Sequence, residues 1–278
     1  MLHHNINKIF SYIMFGKKQY YFLSGVPRAG NTLLGSILNQ NKSISVTANS
    51  PVSDMLFTID SYEAEDFNKN FFDPKSRANV CKGIIPNYYK DWKSNVIIDR
   101  GPWGSDINLE LLKKYCPNKI KIIVLLRDIE EVLASFIKWS QENPGNFLDD
   151  YHNLEKKCDH LIYPGGMIHK NLGVVYNLLQ KENRKYALFV KYDDLVSKPE
   201  EELCRVYKFL ELKKYNHNFE NLKEFSSNGI SYDDSIIGNN LHKVKLDCVR
   251  RSDYVPQDYI SQGLLDKYQT LDFWKNML

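Results

Sequence analysis

The sequence has no long apolar run, no paired cysteines and almost no excess charge. Its five cysteines, Cys81, Cys116, Cys158, Cys204 and Cys248, are odd in number and widely spaced, with no CxxC pair. That argues against a disulfide framework and a cysteine zinc site, and it fits a reducing compartment. His152, His160, His169 and His217 show no metal-ligand spacing, so no metal is expected. One apolar stretch, residues 9–15, is interrupted by Ser11 and followed by Gly16-Lys17-Lys18. It is too short to span a bilayer and lacks a small-residue cleavage site, so neither anchor nor signal is expected, and the simplest location is cytoplasmic. A net charge of +3 is too small to argue for nucleic acid, so any basic site has to be built locally. Internal repeats and low-complexity segments are also lacking.

What is present is a chain of 278 residues, 43% hydrophobic and 26% charged. That length sits near the upper limit of one hydrophobic core, so a single domain spanning 1–278 is the expectation, with its core at about 20–274. Four short apolar runs read as strands: Tyr20–Ser24, Asn95–Asp99, Lys119–Leu126 and Tyr186–Tyr192. The third ends in the continuous β-branched and leucine run of a strand covered on both faces. After it, Ile129, Val132, Leu133, Phe136 and Ile137 form one helical stripe, and Asp128 and Glu131 have capping-box spacing. After the fourth, Pro199 stands at a first helical position, ahead of a face made by Leu203, Val206, Phe209 and Leu210. Strand–helix alternation of this kind means an α/β fold, a mostly parallel central sheet with helices on both faces. Two stretches break the alternation. Residues 50–93 are rich in aromatics, and residues 141–166 carry Pro144, Gly145, Pro164, Gly165 and Gly166. Both are longer than ordinary connections and read either as lid-like, substrate-facing insertions or as peripheral helical packing.

The most informative segment is Phe22-Leu-Ser-Gly-Val-Pro-Arg-Ala-Gly-Asn-Thr-Leu-Leu34. An apolar strand enters a loop with Gly25 and Gly30 and leaves as a helix. Unpartnered N–H groups at a helix start face the positive end of its dipole, where a phosphate can sit, and glycine allows close approach. Thr32 adds a hydroxyl and Arg28 a cationic fork. A nucleoside-triphosphate loop would read GxxxxGK followed by Ser or Thr, but Asn31 occupies the lysine position. This P-loop-like segment therefore suits a phosphate better than a γ-phosphate with magnesium. Glycines that merely relieve crowding are the competing reading.

Val26-Pro27-Arg28-Ala29-Gly30-Asn31-Thr32-Leu33 resembles the 5′-phosphosulfate loop of the PAPS-dependent sulfotransferases, typically PRSGTTL; PAPS is 3′-phosphoadenosine 5′-phosphosulfate. Arginine at position 28 is closer to the tyrosylprotein and bacterial branches than to the cytosolic branch, which has lysine there. Ala29 and Asn31 depart from the usual serine and threonine. Leu125-Leu-Arg-Asp-Ile-Glu-Glu-Val-Leu-Ala-Ser-Phe136 resembles the family's 3′-phosphate motif, carried here by Arg127 and Ser135. Ile98-Asp-Arg-Gly-Pro102 resembles the strand end with a cation at the sulfuryl group, here Arg100. Val190-Lys-Tyr-Asp-Asp-Leu195 is similar to VRYEDL, with Tyr192 holding the nucleotide. Residues 241–251 resemble the segment that closes over PAPS, with Arg250 or Arg251 reaching the 3′-phosphate.

The resemblance runs from about Tyr20 to Trp274. It implies transfer of a sulfuryl group from PAPS to a hydroxyl or amine of a carbohydrate, tyrosyl peptide or small molecule, releasing PAP, with no metal by family precedent. By that resemblance, residues 27–33, with Arg28 and Thr32, meet the leaving 5′-phosphate and Arg100 the sulfuryl oxygens. The general base is open between Asp54 and His242, because residues 47–51 hold no acid where the tyrosylprotein branch places its glutamate. A P-loop nucleotide kinase or NTPase, and a non-catalytic nucleotide-binding module of the same fold, are the competing functions. Neither a nucleic acid nor a membrane partner is expected.

Overall fold

The computed structural model describes residues 18–63, 66–244 and 247–278; the apolar stretch at 9–15 and Lys245 lie outside them. Five strands form one sheet: β1 (Gln19–Gly25), β2 (Ile44–Asn49), β3 (Val96–Arg100), β4 (Ile122–Leu126) and β5 (Ala187–Lys191). All neighbours are parallel, in the order β2-β3-β1-β4-β5. Parallel strands need long crossovers, and helices supply them: α1 (Asn31–Leu38), α2 (Val52–Asp60), α3 (Pro74–Tyr88), α4 (Asp106–Tyr115), α5 (Ile129–Glu142), α6 (Leu154–Ile162) and α7 (Met167–Leu179); α8 (Tyr192–Ser197), α9 (Pro199–Leu210) and α10 (Gln262–Asp266) follow the last strand. The continuous apolar core runs from Tyr20 to Trp274 and includes every residue of β4. Among the described residues no helix is long and apolar enough to cross a membrane.

The central strand and its loop are tied by one close approach. Gly25 is paired with Leu125 at φ 137°, and a Cβ on it would lie 2.4 Å from the Leu125 carbonyl oxygen. Only a residue without a side chain lets β1 and β4 meet backbone to backbone there. Just beyond, the Val26 N–H donates to the Leu125 carbonyl at 2.9 Å. The loop then turns through two left-handed residues, Arg28 (φ 61°) and Gly30 (φ 90°), into α1.

Several local expectations need correction. β2 is a fifth strand that apolar patterning did not reveal. Of its buried residues Ile44, Ser45, Val46 and Thr47, two are hydroxyl-bearing and satisfied by neighbours. Ser45 meets the Ser94 hydroxyl at 2.8 Å, and Thr47 Oγ1 accepts the Arg100 N–H at 2.8 Å. β4 begins at Ile122, not at Lys119: the Phe22 N–H still reaches the Lys121 carbonyl at 3.0 Å, but the Tyr20 N–H is taken by Asn118 Oδ1 at 3.2 Å, which ends the ladder there. β5 ends at Lys191, and Tyr192 opens α8. Residues 52–60 and 74–88 are the helices α2 and α3, packed on each other and on α4. Leu203, Val206 and Leu210 are buried on α9, with Phe209 half-buried.

The capping box is the clearest reversal. Asp128 occupies the N-cap of α5 but makes no side-chain cap bond. Asp272, from the far C-terminus, accepts the Ile129 N–H at 2.9 Å instead, while Asp128 pairs with Lys275. Glu131, the other half of the expected box, is drawn away by arginines.

The Gly25 contact makes a direct prediction. Gly25→Ala forces β1 and β4 apart and should cost about 1–3 kcal/mol, read as a melting temperature lower by roughly 3–10 °C. A melting temperature equal to that of the wild type would show that the two strands yield without cost.

Candidate active site

Parallel topology brings the cationic residues together. β1 is the middle strand, with β3 on one side and β4 on the other. Arg28 follows β1, Arg100 is the last residue of β3, and Arg127 is the first beyond β4. Three positions spread over about a hundred residues of sequence thus meet at the carboxyl ends of three adjacent strands, the usual ligand edge of an open α/β sheet. They line a cleft of about 1200 Å³ together with Pro27, Gly30, Asn31, Thr32 and Leu33. Ser135, Tyr192, His242 and Arg250 line it as well. Ala29 is fully buried under the loop.

Each guanidinium is held by neighbours. Arg28 donates from Nε to Ser135 Oγ at 3.0 Å and from Nη1 to the Leu241 carbonyl. It thereby spans from the phosphate loop to α5 and to the C-terminal segment. Arg127 is 7% exposed. It donates to Glu131 at 2.8 Å, to the Arg28 carbonyl at 3.0 Å and to Ser252 Oγ at 3.4 Å, and lies 4.1 Å over the Tyr192 ring. Tyr192 in turn bonds Ser252 at 3.3 Å. Arg100 donates to Thr32 Oγ1 at 3.2 Å and to the Tyr232 hydroxyl. Planar forks of this kind present fixed donors to an oxyanion and keep their charge at any working pH.

Beneath Arg100 lies a buried acid. Asp99, 2% exposed, accepts from Trp103 Nε1 at 2.7 Å and from the Tyr89 hydroxyl. Burial pushes its carboxyl above the ordinary range, against those two hydrogen bonds. Ser24 Oγ continues the brace, donating to the Gly101 carbonyl at 2.6 Å and accepting the Trp103 N–H at 3.1 Å. These groups fix the strand end that aims Arg100.

Asn31 donates to the Val26 carbonyl at 2.8 Å and closes the loop on itself. The position that carries lysine in a nucleoside-triphosphate loop here serves the loop's own shape. Of the two candidate bases, Asp54 is exposed in the first turn of α2 and is not among the residues lining the cleft. His242 lines it. Arg250 faces the cleft and pairs with Asp247 at 2.9 Å. Arg251 points elsewhere, to Glu131 and to Asp193.

A sulfotransferase domain model matches residues 18–251. The chain belongs to the sulfotransferase domain family. The reaction of the family, and so of this chain, is sulfuryl transfer, and PAPS is the donor that membership implies. Among solved structures, a mouse sulfotransferase complexed with PAP matches over 95% of this chain and 86% of its own at 14% identity, with a TM-score of 0.52. A retinol dehydratase in a complex with retinol and PAP matches over 96% and 84%, also at 14% identity, with a TM-score of 0.51. At such identity the likeness shows the fold alone. A search of curated proteins gives no match. Among the described residues of the sulfotransferase, no group of His, Cys, Asp or Glu is arranged to hold a metal.

Sequence reasoning did not find Glu131 as an anchor, nor Ser252, Tyr232, Asp234 and Asp99. The last left one signal, a lone acid closing the apolar run Val-Ile-Ile, which only buried partners can satisfy. Burial works against ionisation of Glu131, yet the Arg127 hydrogen bond and charge, with Arg251, hold its carboxyl below the ordinary value. A depressed carboxylate stabilises the fold above its unfolded pKa and loses that contribution as pH falls through the folded value. Glu131→Gln should therefore cost about 1.5–3 kcal/mol at pH 7. The gap from wild type should close in acid, as thermal melts across pH would read. A gap independent of pH would remove the ion pair as its cause.

Proposed function

We propose that the sulfotransferase holds PAPS across the ends of β1, β3 and β4 and passes its sulfuryl group to an acceptor hydroxyl or amine deprotonated by His242. The observation that carries this reading is the convergence of Arg28, Arg100 and Arg127 at three adjacent strand ends, with His242 on the same cleft.

The residues present suit a polyanionic nucleotide. The loop turns its backbone through left-handed Arg28 and Gly30 into the start of α1, where N–H groups and helix dipole favour a 5′-phosphate. Arg127 and Ser135, bridged by Arg28, form a second anion site suited to the 3′-phosphate, and Arg250 lines the same cleft. Thr32 and Arg100, linked at 3.2 Å, suit the oxygens of the transferring group. Charge that develops in the transition state then meets donors already in place. Bound PAPS supplies the sulfuryl group; the protein supplies orientation, charge and the base.

His242 is the better base on chemical grounds as well as position. Burial holds its imidazole below the ordinary value; Asp234 opposes this, while Arg100 and Arg28 add to it. A neutral ring at neutral pH is what accepting a proton requires. The five cysteines are free thiols, which suits a cytoplasmic enzyme with direct access to PAPS.

PAP should raise the melting temperature without added metal, since a ligand at a hundred times its Kd stabilises by about 2.7 kcal/mol. Stabilisation by ATP with magnesium but not by PAP would overturn the donor. Arg100→Ala should lower turnover on the order of a hundredfold and leave PAP affinity nearly intact. Full activity would remove Arg100 from the sulfuryl site.

The second anion site has its own test by calorimetry. Arg127→Ala should weaken PAP strongly and AMP little, since each charged hydrogen bond contributes about 1.5–3 kcal/mol. Equal losses for PAP and AMP would abolish the 3′-phosphate assignment.

A further inference from the structure

We infer that Asp234 is the positioning residue of the general base, an inference that rests on the assignment of His242 to that role. Asp234 and His242 lie on one segment, eight residues apart, and a single carboxylate holds the histidine twice. Asp234 Oδ2 accepts the His242 backbone N–H at 2.8 Å, and Oδ1 meets Nδ1 at 2.6 Å. Both side chains are largely buried, at 10% and 14% exposure. Holding backbone and ring from one carboxylate fixes the side-chain torsions of His242.

It also sets the tautomer. An ionised carboxylate can only accept, so the shared proton sits on Nδ1 and the lone pair on Nε2. Nε2 has no hydrogen-bond partner among the described residues, and the histidine lines the cleft. The base atom is thus the one directed away from Asp234.

A third residue of the same segment fixes the ring plane. Tyr232 stacks on the imidazole with centroids 3.9 Å apart and planes 8° apart. Its hydroxyl bonds Arg100, whose guanidinium lies 5.6 Å from the Tyr232 ring centroid. The imidazole is therefore registered against the arginine assigned to the sulfuryl oxygens. The charged and titratable groups facing His242 are Asp234 and Tyr232 from its own segment, Arg100 from β3 and Arg28 from the phosphate loop. Of these only Asp234 brings negative charge, so its removal leaves the ring between two cations with no set tautomer.

The test combines kinetics with direct observation of the ring. Asp234→Asn should lower kcat by roughly ten- to a hundredfold, shift the acid limb of the pH–kcat/KM profile to lower pH, and leave PAP affinity within about twofold. Asp234→Glu should recover part of the rate. In the wild type, nitrogen NMR of labelled histidine should show His242 as the Nδ1–H tautomer at neutral pH, a readout that does not depend on any variant folding. An Nε2–H tautomer would overturn the inference. So would a wild-type pH profile and kcat in Asp234→Asn while His242→Gln is inactive. His242→Gln with wild-type activity would instead remove the base assignment itself, and the role of Asp234 with it.

Discussion

The backbone contact between β1 and β4 at Gly25 sets the geometry on which the site depends. With a Cβ excluded there, the chain leaves β1 against Leu125 and turns at once over the end of β4. That places the Arg28 carbonyl where Arg127 can donate to it at 3.0 Å. The loop and the first residue beyond β4 are thereby one unit, although their sequences lie a hundred residues apart. Arg28 extends the unit to α5 through Ser135. A glycine chosen for steric reasons has an electrostatic result, two guanidiniums held side by side.

Clustered cations repel, and the fold treats Arg127 and Arg100 differently. Arg127 is paired with the half-buried carboxylate of Glu131 and lies over the Tyr192 ring, so its charge is met by an anion and a π face. Arg100 is held by neutral oxygens and a tyrosine ring, and the charge of Asp234 reaches it without a direct ion pair, while Asp99 is turned beneath the strand toward Trp103 and Tyr89. The two sites therefore differ in kind. One is a direct ion pair with Glu131; the other is a cation bonded to neutral oxygens, with its nearest charge partner, Asp234, at one remove.

Much of this was legible in the sequence, and the limits have physical causes. Apolar runs over residues 20–24, 95–99 and 119–126 marked strands because parallel strands are buried on both faces. β2 escaped because its buried hydroxyls are satisfied by partners that only the folded chain supplies. The loop, Arg100 and Arg127 were readable because phosphate chemistry constrains residue type and spacing together. The Asp128–Glu131 pair misled for the opposite reason: spacing was right, but Lys275 and the arginines outcompete a helix terminus for those carboxylates. His242 was visible only as a lone histidine. What gives it meaning is Asp234 and Tyr232, whose relation to it is a matter of loop geometry that no short pattern encodes.

Leu241 and His242 are consecutive residues with different duties. The carbonyl of the first receives the guanidinium of Arg28, while the ring of the second stands at the cleft. The contact that seats the segment on Arg28 therefore also fixes where the imidazole stands. On the proposed role of His242, a donor held by the loop faces its base only with that segment docked. A phosphate–sulfate anhydride is costly to make and easily squandered, and on the proposed role of His242 the Arg28–Leu241 contact decides when it faces a base.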